Sequence, residues 1–124
     1  MQDFRELKVW VKAHALALAV YKATSVFLQE ELYGVTSQMR RSASSIPANI
    51  AEGCGTNTRS EFARFLQIAL RSASELEYHL LLSRDLSMLK DLEFRSLSAD
   101  VIEVKRMLTA LTATLRSYRA SRHP

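Results

Sequence analysis

The chain has one cysteine, three glycines and two prolines among 124 residues, and Pro124 is its last residue. A single cysteine, Cys54, excludes an internal disulfide and any cysteine-built zinc site. So few glycines and prolines leave little material for β-turns, which favours helices throughout. Charged residues recur often enough that no apolar run reaches the ~20 residues of a membrane span. Asp3, Arg5, Glu6, Lys8 and Lys12 interrupt the first dozen residues, unlike a secretory leader. A cytoplasmic protein with no membrane partner is therefore expected. Catalytic signatures are also missing. There is no G-x-S-x-G elbow, and Gly53-Cys54-Gly55 lacks the lysine and preceding strand of a phosphate loop. Neither a catalytic residue nor a cofactor is expected.

What remains is apolar and periodic. Hydrophobic residues make up 48% of the chain, enough for the core of one domain. The first segment, over about 4–28, carries two stripes at helical spacing. One is Leu7, Val11, His14, Leu18, Tyr21, Ser25 and Leu28. The other is Trp10, Ala13, Ala17, Val20, Thr24 and Phe27. Together they are wider than one core contact requires, so part of this face is expected to meet another subunit. His14 reads as a core or interface histidine.

The second segment, over about 35–53, places Val35, Met39, Ser42, Ala43, Ile46 and Ile50 on one face. Gly53 to Asn57 then supply turn chemistry. Thr58 and Glu61 fit the N-cap and N3 positions of a capping box. They open a third helix over about 58–84, with Phe62, Phe65, Leu66, Ala69, Ala73, Leu76, Leu80 and Ser83 inward. In the fourth, over about 92–118, Leu97, Val101, Val104, Leu108, Leu111, Leu115 and Tyr118 step 4-3-4-3-4-3, a coiled-coil-like seam. Short links between four amphipathic helices imply an all-α, antiparallel up-down-up-down bundle spanning 1–124, with a basic tail over 119–124.

The second segment is unusual. Pro47 falls inside it, where proline removes an N–H and costs about 3 kcal/mol. The Ala43 carbonyl would lose its helical partner, with Ser44, Ser45 and Asn49 nearby to compensate, and a bend is expected. Arg41, Ser45, Asn49 and Glu52 form a polar stripe. Arg41 and Glu52 are three turns apart, so each is expected to pair with another helix or subunit. The stripe reads as an interface network or a ligand site. Metal binding has weak support: Glu75 and His79 are four apart, not the three of the di-iron Glu-x-x-His pair. A helix-face hydrogen bond suits them better.

The formal net charge of +4 is uneven. Basic and acidic residues balance over 1–31 and over 58–91. The surplus lies at Arg40-Arg41 and in the last third, where the end Arg116 to His123 holds no acid. Arg40, Arg116, Arg119 and Arg122 are the candidate phosphate contacts. The competing reading is a solvated helix end, where cations suit the C-terminal dipole.

Several of these residues carry a resemblance. The run Ser45-Ile46-Pro47-Ala48-Asn49-Ile50-Ala51-Glu52-Gly53 resembles the four-helix-bundle family encoded in intervening sequences of bacterial 23S ribosomal RNA genes, also called S23 ribosomal proteins. Trp10, Ala13, Tyr21, Tyr33-Gly34-Val35-Thr36-Ser37-Gln38, Glu61-Phe62, Phe65-Leu66 and Arg106-Met107-Leu108 extend the likeness over nearly the whole chain. Leu70-Arg71 departs from it, since the family often has glycine before Ser72. The resemblance implies a ring of five subunits. It also implies kinship with the accessory protein of diversity-generating retroelements, a pentamer that works with RNA and a reverse transcriptase. No settled activity comes with it. The expected protein is a non-catalytic homopentameric scaffold that binds RNA through a basic surface. The alternatives are docking of another protein, or a small-molecule or metal site in the bundle.

Overall fold

A computed structural model describes residues 2–31 and 34–121, with side chains as far as Ser117. Four helices account for most of it: α1 (Lys8–Thr24), α2 (Val35–Cys54), α3 (Arg59–Asp85) and α4 (Asp91–Ser121). No strand occurs among the described residues.

The helix ends follow local chemistry. α1 starts later than the apolar pattern predicts, because Asp3 accepts the Arg5 N–H at 3.0 Å and closes a 3-10 turn over Phe4–Glu6. Leu7 is then extended, at φ −78° and ψ 126°, so α1 begins afresh at Lys8. It ends at Thr24 rather than about 28. Phe27 still packs on the core from the following turn. At α3 the Thr58 hydroxyl accepts the Glu61 N–H at 3.1 Å, as the capping box requires. α3 closes through Ser87, which holds φ 61° while its N–H meets the Arg84 carbonyl at 2.9 Å. α4 runs on to Ser121, through the start of the expected tail.

Cross-helix contacts establish the direction of each helix. Arg40 on α2 reaches Tyr21 and Thr24 at the end of α1, whereas Gln2 reaches Cys54 at the end of α2. Met39 meets Ser83 while Ser45 meets Ser72. Glu77 pairs with Lys105 at 2.9 Å, and Arg84 covers the Phe94 ring. In each pair, residue numbers rise on one helix as they fall on the other. Each helix touches its two neighbours, α4 closing on α1. This is the expected antiparallel up-down-up-down bundle.

Most of each inward stripe of α2, α3 and α4 is buried as the periodicity predicts, with Met39, Ile46, Ile50, Leu66, Leu76, Leu80, Val101, Val104 and Leu108 sealed from water; Phe62, Phe65, Leu111 and Leu115 are half-buried, and the side chain of Tyr118 lies outside the described residues. On α1 the two stripes part. Ala13, Ala17, Val20 and Thr24 are buried, whereas Val11, Leu18, Tyr21 and Leu28 are exposed. One chain covers only one of them.

α2 continues unbroken through the buried Pro47. Asn49 does not serve the Ala43 carbonyl. It donates instead to the Ser45 carbonyl and hydroxyl, at 2.8 and 2.9 Å. Ser44 bonds to Arg41, one turn back. Gly53 is buried in the last turn of α2, one residue before its end at Cys54. A Cβ on Gly53 would lie 2.8 Å from Phe62 Cδ1 and 3.1 Å from Phe65 Cβ. Glycine is there for the closeness of α3. Gly53→Ala should therefore destabilise the fold by about 1–3 kcal/mol. Thermal melting checks this, and an unchanged Tm would refute the close approach.

Candidate nucleic-acid interface

The polar stripe of α2 divides in two. Ser45 and Asn49 are half-buried against α3, where the Ser45 and Ser72 hydroxyls lie 2.9 Å apart. With the two Asn49 bonds this makes a continuous network that locks α2 to α3 in one register. Arg41 and Glu52 lie at the outer edge of the stripe, exposed, and neither side chain has an ion pair or hydrogen bond among the described residues. The expected pairing with another helix of the same chain is not made, because α2 turns the middle of the stripe, not its rim, toward α3.

Glu75 and His79 do not form the expected helix-face bond. His79 is buried with its Nδ1 unpartnered and its ring tilted on Tyr78, while Glu75 stays in water. Among the described residues no group of three His, Cys, Asp or Glu side chains comes together. His14 is exposed rather than in the core. It stacks on Trp10 with ring centroids 4.9 Å apart and planes within 11°.

The candidate phosphate contacts lie apart. Arg40 is half-buried near the end of α1: its Nε donates to Thr24 Oγ1 at 2.9 Å, one Nη donates to the Tyr21 carbonyl, and the guanidinium lies 4.8 Å over the Tyr21 ring. Those contacts tie α2 to α1. Arg40 is level with Ser83, whereas Arg116 is level with Ser60 to Arg71, roughly 25–30 Å away along the bundle. The two cannot serve one patch on one chain. The side chain of Arg119 and the whole of Arg122 lie outside the described residues.

Arg116 has neighbours that sequence reading missed. A cleft of about 330 Å³ between α3 and α4 is lined by Arg59, Arg64, Arg71 and Arg116, with Ser60, Gln67, Ala63 and Leu115 between them. Ser60, Arg64, Gln67 and Arg71 step 4-3-4 along α3, a signal that was readable. It was hidden because the segment's acids balance its bases in number. Among the described residues Glu61 pairs with one of these arginines, 3.3 Å from Arg64, while Glu75, one turn beyond Arg71, makes no ion pair with it.

Cys54 is buried at the end of α2. Burial, followed by the nearby charge of Asp3, pushes its thiol above the ordinary value. That environment disfavours the thiolate a nucleophile needs.

The described residues thus form an all-α bundle with an exposed apolar stripe on α1 and an arginine-lined cleft between α3 and α4. The model of the 23S rRNA-intervening sequence protein matches residues 5–110, and the chain belongs to that family. A solved structure shares the fold: a protein of unknown function from the S23 ribosomal protein family of Bacteroides thetaiotaomicron. It is 28% identical, with a TM-score of 0.76 over 84% of this chain and 97% of the other. No protein of curated function matches the chain. No described helix is long and apolar enough to cross a membrane.

Asn49→Ala should cost about 1 kcal/mol through loss of its two bonds to Ser45, read as a lower midpoint in urea. A thiol reagent at neutral pH should modify Cys54 slowly in the native protein and fully once it is unfolded. Equal rates in both states would contradict the burial of the sulfur.

Proposed function

We propose that this chain is a non-catalytic, self-associating scaffold that works in the cytoplasm as a five-membered ring and binds RNA. The exposed stripe Val11, Leu18, Tyr21 and Leu28 on α1 carries the reading. These side chains follow one line over the helix and the turn beyond it. Exposed apolar side chains gathered on one face, here with His14 and Ser25 among them, mark a contact surface. A second copy suits it because the resemblance implies closed rings, and because this stripe lies beside the buried one on the same helix. Arg41 and Glu52, both unpaired, supply charges of opposite sign for contacts between copies.

Charge supports the choice of RNA. Five copies of a +4 chain would repeat every basic site around a ring, and repeated weak sites reinforce one another on a polyanion. Docking of another protein is the second reading, favoured by the same apolar stripe. Salt separates the two, since phosphate contacts weaken steeply with ionic strength and an apolar dock barely responds.

Light scattering should give a mass near five times 14.1 kDa. Leu18→Glu places a charge on a residue 59% exposed in the single chain. It should leave the helical content intact while reducing the mass to that of one chain. A native mass of 14.1 kDa, or an unchanged assembly in the variant, would refute self-association through α1.

A further inference from the structure

The cleft holding Arg116 is part of a longer channel. Toward the α2–α3 turn it shares Arg59 and Leu115 with a cleft of about 260 Å³ bordered by Gln2, Thr56, Asn57 and Phe62. In the other direction it shares Gln67 and Arg116 with one of about 470 Å³ bordered by Leu70, Thr109 and Ala113. Two of the three form a seam between α3 and α4, and the cleft at the α2–α3 turn extends it past the end of α2. From residue 59 to 71 it follows α3 for about 18 Å. An elongated seam suits a linear ligand rather than a compact one.

Its charge is also available. Arg71 and Arg116 are exposed, and neither has a carboxylate partner or hydrogen bond among the described residues. Arg64 shares its guanidinium between Glu61, at 3.3 Å, and the Phe65 ring. The last turn of α4 adds no acid. Guanidinium groups present several N–H donors in a plane and match phosphate oxygens well. Ser60 and Gln67 add uncharged donors between them.

Shape limits the form of the nucleic acid. Packed helices lie about 8–10 Å apart, so the seam admits one sugar–phosphate strand and not a duplex. The aromatic rings nearby are not free for stacking: Phe62 packs against the core and Phe65 lies beneath Arg64. Sequence-tolerant base stacking needs exposed rings, and none of the described residues lining the arginine stretch is aromatic.

Building on the proposed RNA binding, we infer that the α3–α4 seam, through Arg71, Arg116 and Arg64, holds the phosphate backbone of single-stranded RNA without reading its bases. Arg40 takes no part in this contact.

The test is fluorescence anisotropy of the native protein with a labelled 20-mer of uridine, titrated from low to high salt. Two double variants remove equal charge: Arg71→Gln with Arg116→Gln in the seam, and Lys22→Gln with Lys90→Gln at the far end of the bundle. All four side chains are exposed, and circular dichroism verifies that both variants are folded. The seam variant should bind about ten-fold more weakly or worse, and its log–log salt slope should flatten by about 1.4, or 0.7 for each lost contact. The lysine variant should stay near wild type. Adenosine and cytidine 20-mers should bind like uridine, and unlabelled duplex RNA should compete poorly. Equal losses in both variants would overturn the seam and leave RNA binding standing as a diffuse effect of charge. No binding by the wild type at low salt would overturn RNA binding and the seam together. Strong base preference or tight duplex binding would overturn the single-strand backbone assignment.

Discussion

The close approach of α2 and α3 is the constraint on which the other features of this bundle depend. Gly53 has no side chain because Phe62 and Phe65 occupy the space where one would go. Ala43, Ala69 and Ala73 are sealed from water in the same core. Small residues let backbones come near, and nearness lets short polar side chains span the gap. Ser45 meets Ser72 at one level, and Ser83 meets the Met39 sulfur at another. With α2 seated in this register, its N-terminal half brings Arg40 to the end of α1. Polar contacts at partly buried sites specify register more reliably than they add stability, and this seam joins several of them.

The same packing explains how a proline survives inside α2. Pro47 is buried and lies between Ser45 and Asn49, whose side chains bond to each other. The helix loses one N–H there. The helix continues through it, with Ser45 bonded to Ser72 on α3 on one side and Asn49 bonded back to Ser45 on the other. The Ile-Pro-Ala-Asn-Ile-Ala-Glu-Gly run is thus a packing motif: its isoleucines fill the core, its asparagine braces Ser45, and its glycine admits α3.

Functional features lie away from that constraint. The uncovered line on α1 faces outward because Ala13, Ala17 and Val20 already supply the inward contact. The arginine seam faces outward between α3 and α4, whose cores are filled by Leu66, Leu76, Val101, Val104 and Leu108. The bundle therefore presents an apolar line and a basic groove on different sides. The proposed scaffold uses one for its own copies and the other for a polyanion, so assembly and binding need not compete for the same surface.

Periodicity alone determined four helices, their order and most inward residues of α2, α3 and α4, because burying an apolar stripe is a local demand repeated every three or four residues. It also showed that α1 carries more apolar surface than one core contact uses. Capping chemistry placed the start of α3 at Thr58 to within a residue. Tertiary structure decided which α1 stripe is inside, since that choice depends on where α2 and α4 lie. It decided that Arg40 braces α1, and that Gly53, in the last turn of α2, makes room for a neighbour. It also decided that Arg116 belongs with Arg59, Arg64 and Arg71. Charges distant in sequence form a site only when two helices bring them to one groove, and a count of charges along the chain cannot contain that information.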